Sequence, residues 1–190
     1  ALILGTIHPH RTDNFKIDFF YGNRNSIWNL LGLAFPQIDF NSRDSIIKNL
    51  KDSKIWISDM IFSCERLNEK ITEDKFLTNI ELNTAQIENG IKKSKIEKIF
   101  FTSGLNKNNA AKLFCDAFSI KAALDINREF DIPENIFGRK IKGIVLFSPS
   151  GQANIGISKS KSFLEQKHKY QQFEKPVSKF KIDSYRTAFN

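Results

Sequence analysis

Two cysteines, three histidines and one methionine are all the thiol, imidazole and thioether chemistry that 190 residues contain. Cys64 and Cys115 lie far apart, form no CxxC pair, and with so few histidines make no recognisable structural zinc site or iron–sulfur cluster. No metal and no cofactor are therefore expected. Both thiols read as core residues, and a reducing, cytoplasmic compartment is the expected setting. No apolar run approaches the roughly 20 residues of a membrane span, so no membrane partner is expected. No charged-then-apolar leader points to secretion. A phosphate loop of the GxxxxGKS/T kind is missing, as is a convincing cluster of acidic metal ligands, which weighs against a phosphoryl-transfer enzyme or a metal nuclease. Internal repeats and low-complexity tracts are also lacking.

What is present argues for a folded, basic domain. Hydrophobic residues make up 41% of the chain and 18 of its residues are phenylalanine, enough to bury a core and to exclude general disorder. The net charge of +8 favours a polyanionic partner, although lysine-rich surfaces are common without one.

Apolar patterning gives the organisation. Ala1–Gly5, Lys54–Ser63, Ile96–Thr102 and Lys142–Phe147 read as strands, each a nearly continuous apolar run. Ser26–Phe35, Arg43–Ser53, Phe76–Lys93, Asn108–Phe118 and Ser158–Phe173 read as helices. Alternation of the two predicts an α/β fold, a three-layer αβα sandwich around a central four-stranded parallel sheet. One domain is expected over residues 1–174, with 175–190 as a C-terminal extension lacking clear periodicity. In such sheets the working loops follow the carboxyl ends of the strands.

Two segments occupy those loops. The first runs Gly5-Thr6-Ile7-His8-Pro9-His10 and continues to Phe19-Phe20-Tyr21-Gly22-Asn23-Arg24-Asn25-Ser26-Ile27-Trp28. The second is Val145-Leu146-Phe147-Ser148-Pro149-Ser150-Gly151-Gln152-Ala153-Asn154. A proline loop, an aromatic run and an Asn-x-x-Trp opening a helix resemble the first motif of the uracil-DNA glycosylase superfamily, closest to its mismatch-specific uracil and hypoxanthine branches. The second segment resembles that group's Val-Leu-Pro-Asn-Pro-Ser-Gly motif. The Asp59…Cys64-x-Arg66 pattern is similar to the hypoxanthine-removing branch. The likeness spans the chain from Ala1 to about Tyr170.

The resemblance implies a monofunctional DNA glycosylase, a monomer that hydrolyses the N-glycosidic bond of a flipped, deaminated or mismatched base in DNA, uracil or hypoxanthine, and leaves an abasic site. Such chemistry needs a stacking aromatic, a group that positions water, and donors aimed at the departing anionic base. Phe20 is the candidate stacking platform, with Tyr21 next to it. Phe19, Phe20 and Tyr21 also read as ordinary core, and alternation along an extended run, which sends neighbours to opposite sides, puts one or two of them there. Asn25 falls on the asparagine that orients water or base, a position that also suits a helix N-cap. His8 stands where the mismatch-uracil branch carries a water-positioning asparagine, and could equally be a loop histidine bonded to backbone. Ser148 stands where relatives place an Asn or His donor to the base, with Ser150 able to share the role. Gly151 and Gln152 match the wedge that enters the duplex, or a plain strand-to-helix turn. Asp59 either bonds to loop backbone near Arg66 or lines the pocket. Lys159, Lys161, Lys167 and Lys169 could meet phosphates or form a solvated face. A non-catalytic DNA or nucleotide binder on the same fold is the rival reading, motivated by His8 and Ser148.

Overall fold

The computed structural model describes residues 1–8, 15–22, 26–67, 73–151 and 153–190. In chain order the elements are β1 (Leu2–Gly5), α1 (Ile27–Ala34), α2 (Arg43–Asp52), β2 (Trp56–Asp59), β3 (Ile61–Arg66), β4 (Leu77–Leu82), α3 (Thr84–Lys93), β5 (Lys98–Phe101), α4 (Ala110–Ala117), β6 (Glu129–Ile132), α5 (Glu134–Phe137), β7 (Ile141–Val145), α6 (Ala153–Ile157), α7 (Lys161–Leu164) and α8 (Pro176–Phe189). Short 3-10 turns lie at Asp74–Phe76 and Lys167–Lys169. No helix among the described residues is long and apolar enough to cross a membrane. The chain divides into two compact units, Ala1–His8 with Ile55–Val145, and Pro9–Lys54 with Leu146–Asn190.

The first unit holds the sheet, in the order β2-β1-β5-β7-β6. β2, β1, β5 and β7 run parallel, while β6 pairs antiparallel with β7. The α/β class holds, but the expected four-stranded parallel sheet is corrected to a five-stranded mixed one. β6 escapes the reading because its sequence, Glu-Phe-Asp-Ile, carries two carboxylates and is too short to show a period. Its Phe130 lies opposite Gly143 of β7, where a Cβ would come within 2.6 Å of the phenyl ring, so the glycine makes room for the ring.

One face of this sheet presents Leu2, Leu4, Ile99, Phe101, Phe130, Ile132, Ile141 and Val145 to Ile87 and Ile91 of α3, Ala110, Ala111 and Phe114 of α4, and Phe137 of α5. Ile3, Phe100 and Ile144 alternate with these and are buried as well. Burial of side chains on both faces is what makes the strands read as unbroken apolar runs.

Two expected elements are divided. The apolar stretch from Lys54 to Ser63 is two strands, because Met60 is fully buried at a corner where the chain leaves the sheet and turns into β3. β3 pairs antiparallel with β4 across two register shifts. Consequently Phe76–Lys93 is no single helix: Leu77–Leu82 is strand, and only Thr84–Lys93 is helical. Leu77 and Ile80 sit at a spacing that imitates a helical stripe, and cross-strand pairing overrides it.

In the second unit α1 packs against α8, and the Arg186 Nε–H donates to the Ala34 carbonyl at 2.9 Å, closing the end of α1. Ser42 and Ser45 form a reciprocal capping box that starts α2. Phe147, Ile157, Phe163, Tyr170 and Phe180 form a separate aromatic-rich core. The single helix expected over Ser158–Phe173 is corrected to a short α7 and a 3-10 turn, with Ser160 capping α7. The stretch 175–190, read as aperiodic, contains α8 (Pro176–Phe189), which buries Phe180, Lys181 and Tyr185.

Candidate functional site

β1 and β7 both flank β5 in parallel, so their carboxyl ends lie at one edge of the sheet. The segment containing His8 leaves from the first, and the segment containing Ser148 leaves from the second.

Hydroxyl groups converge at the ends of β1 and β5. The Thr6 and Ser103 oxygens are 2.8 Å apart, and the Ala110 amide donates to Ser103 Oγ at 2.7 Å. Thr6 also hydrogen-bonds to the Asp74 carboxyl group. An ionised carboxylate only accepts, so with Asp74 charged the protons run from Ser103 to Thr6 to Asp74. The Asn108 side-chain amide, on a residue with φ of 60°, donates to the carbonyls of Asp74 and Leu77 at 2.9 and 3.1 Å and pins the turn that carries the carboxylate. Burial raises the Asp74 pKa above its ordinary value, opposed by the Thr6 bond and by the Arg66 charge. Sequence reasoning singled out Asp59 and missed Asp74; the available signal was Ser103, standing directly beyond a strand end. Asp59 is the half-buried last residue of β2, and its carbonyl accepts from the Asn83 side chain at 3.4 Å.

His8, in the same unit, is half-buried, and that burial lowers its pKa below the ordinary 6.5, which favours neutral imidazole near neutral pH. Burial pushes both thiols up, Cys115 to about 11, so neither is a ready nucleophile.

The second unit contains the aromatic candidates. Ile17–Gly22 is a tight turn in which the Ile17 and Lys16 amides donate to the Gly22 carbonyl. A Cβ on Gly22 would fall 1.8 Å from the Ile17 oxygen, so only glycine fits there. Because the chain turns, the alternation expected for Phe19, Phe20 and Tyr21 is replaced by a different sorting. Phe19 lies against Trp28 at 5.8 Å between ring centroids. Phe20 and Tyr21, both half-buried, meet edge to face at 4.8 Å, with Tyr21 at a φ of 55°. The buried Trp28 indole donates to the Phe20 carbonyl at 2.5 Å and fixes that residue's backbone.

Asn25 and Gln152 lie outside the described residues, as do Pro9 and His10. The N-cap of α1, one of the two roles open to Asn25, belongs to Ser26, whose hydroxyl accepts from the Asn29 amide at 3.3 Å.

The loop after β7 is held from behind. Lys181 of α8 is 3% exposed and its ammonium donates to the carbonyls of Ser148, Pro149 and Ser150 at 3.1, 3.4 and 3.1 Å. The Tyr185 hydroxyl donates to the Phe147 carbonyl at 2.8 Å. Burial lowers the Lys181 pKa from its ordinary value, and the three carbonyls are the compensation that the charged form finds there. Ser148 is half-buried, with its Oγ accepting from the Ser150 amide at 3.3 Å, whereas Ser150 and Gly151 are exposed. Lys181 was invisible to a reading that took 175–190 as an extension.

Thus Phe20 with Tyr21, and Ser148 with Ser150, are brought together as pairs inside the second unit, while His8 belongs to the first. Lys159, Lys161, Lys167 and Lys169 are exposed but share no common helix face, and Lys161 lies 3.9 Å from Glu165. Among the described residues no three His, Cys, Asp or Glu side chains gather as a metal site. No protein-family model, curated protein or solved structure matches the chain.

Proposed function

We propose that the chain is a monofunctional DNA glycosylase that hydrolyses the N-glycosidic bond of a deaminated base, uracil or hypoxanthine, in DNA and leaves an abasic site. One observation carries the reading: the two segments that resemble glycosylase motifs begin at the carboxyl ends of parallel strands flanking the same central strand, where α/β sheets place ligands. In this reading the chain acts as a monomer in the cytoplasm.

The proposed chemistry divides among few groups. Phe20, with Tyr21 at its edge, offers a stacking face worth roughly 1–3 kcal/mol to an unstacked base. Asn25 or neutral His8 holds the attacking water. The Ser148 oxygen accepts from the Ser150 amide, which leaves the hydroxyl proton for the departing base. Gly151 and Gln152 meet the duplex where the base leaves it. Positive charge on the sugar is stabilised by the DNA phosphates themselves, so the protein needs no strong acid.

The test is a panel of oligonucleotides carrying uracil, hypoxanthine, xanthine or a thymine mismatch, incubated without magnesium and treated with alkali. Strand breaks at the modified base that appear only after alkali are the expected result. Tight binding with no abasic product would favour a non-catalytic binder, and cutting that requires magnesium would favour a nuclease.

A further inference from the structure

A buried ammonium behind an exposed loop is an unusual arrangement, because a charge taken out of water must be fully compensated. Lys181 has three N–H donors, and all three meet carbonyls of one tripeptide, Ser148-Pro149-Ser150. The consequence for the opposite side of the loop is geometric. No cis peptide bond occurs among the described residues, and in a planar trans peptide the C=O and N–H point in opposite directions. A Ser150 carbonyl turned toward the ammonium therefore turns the Gly151 amide away from it. That amide has no acceptor among the described residues, and Gly151 is exposed. The Ser150 amide is directed to Ser148 Oγ, which sets the orientation of that hydroxyl.

We propose that Lys181 is a positioning residue of the loop after β7, gathering its carbonyls on the inner side so that the Ser148 hydroxyl and the Gly151 amide stand as donors on the outer side. The proposal rests on the glycosylase reading for what those donors serve, an oxygen that gains negative charge as the base departs. Lys181 touches no substrate in this scheme; it acts through the backbone. Arginine is no equal replacement, since its flat fork does not converge on three carbonyls as a tetrahedral ammonium can. Tyr185 secures the preceding residue by a neutral hydrogen bond and is the natural comparison.

The experiment measures single-turnover cleavage and DNA affinity for the parent, Lys181→Met, Lys181→Arg and Tyr185→Phe, together with amide hydrogen exchange across residues 147–151. Lys181→Met is expected to slow cleavage by roughly tenfold to a hundredfold, the scale of a misplaced donor, with affinity changed by less than about threefold. Lys181→Arg should fall between it and the parent. Tyr185→Phe should change the rate by less than about threefold. Exchange of the Ser150 amide should quicken in Lys181→Met while α1 stays protected. A folded Lys181→Met that cleaves at the parent rate overturns the proposal. Should that variant fail to fold, Lys181→Arg decides, and a parent-like rate in it is equally fatal. A parent protein that cleaves no base defeats the glycosylase reading and the catalytic role with it. The clamp on the loop is still judged by exchange, and unchanged protection of Ser150 overturns that too.

Discussion

The hydroxyl groups of Thr6 and Ser103 lie 2.8 Å apart although 97 positions separate them in sequence. They join the ends of two adjacent parallel strands and, through Thr6, hold the carboxyl group of Asp74. Burial is the larger influence on that carboxyl, so the folded protein binds its proton more tightly than the unfolded chain does. The stabilising contribution of the protonated form is complete below the ordinary value of 3.8 and is lost as pH rises through the folded-state pKa. Stability of the parent relative to Asp74→Asn should therefore decline as pH rises above 3.8, read from urea unfolding midpoints. A difference that grows with pH would mean that the Thr6 and Arg66 contributions outweigh burial.

For His8 the sign is opposite. Burial favours the neutral ring, so a catalytic His8 keeps cleavage active to a pH below 6.5, and activity declines only as the imidazole gains its proton. His8→Asn should retain useful activity and flatten that acid limb, because an amide positions water without titrating. His8→Ala should lose more. An acid limb that persists in His8→Asn assigns the proton to another group.

Asn25→Ala is expected to lower the single-turnover rate by about a hundredfold while DNA affinity changes little, the pattern of a group that acts in the transition state. Ser26→Ala is the matched control, since Ser26 holds the cap of α1. It should cost about 1 kcal/mol of stability and leave cleavage near the parent rate. Reversal of the two phenotypes would remove Asn25 from the mechanism.

Affinity for undamaged DNA should fall by more than about tenfold between roughly 50 mM and 200 mM salt, because each neutralised phosphate releases counterions. Lys167 and Lys169 are exposed, whereas Lys161 has Glu165 nearby, so replacing either of the first two should reduce the salt slope more than replacing Lys161. An affinity indifferent to salt would detach the positive charge from DNA binding.

The parallel part of the sheet was legible because strands buried on both faces leave nearly continuous apolar runs, as in Leu2–Gly5 and, but for Lys142, Ile141–Val145. What escaped did so for specific reasons. Lys54–Ser63 carries apolar residues on both sides of Met60, yet Phe62 is 70% exposed, so hydrophobicity alone gives no sign of the corner there. In α8 the buried positions Phe180, Lys181 and Tyr185 follow helical spacing, but one of the three is charged, which breaks the apolar stripe. The break coincides with the residue that holds the Ser148 loop. Of the candidate residues, Phe20, Tyr21 and Ser148 were named from motif likeness, and the fold adds that the two aromatic rings meet edge to face. Asp74 had only an indirect sign in Ser103, because Thr6, which bonds its carboxyl group and links it to Ser103, lies far away in sequence.

β6 also determines how the sheet ends. A parallel strand at that border would offer a long row of unpaired amides and carbonyls to any passing extended segment. β6 instead is four residues long, carries Glu129 and the outward-facing Asp131, and stops at Pro133, which has no amide to donate. Asp131 reaches across to Lys142 at 2.8 Å, so charge lies along the rim rather than apolar side chains. An unfolded or neighbouring chain that tried to extend the sheet there would meet a carboxylate and then a missing donor. The strand that spoils the all-parallel pattern thus acts as a guard against edge-to-edge aggregation, a useful property in a protein whose sheet is otherwise built from bare hydrophobic runs.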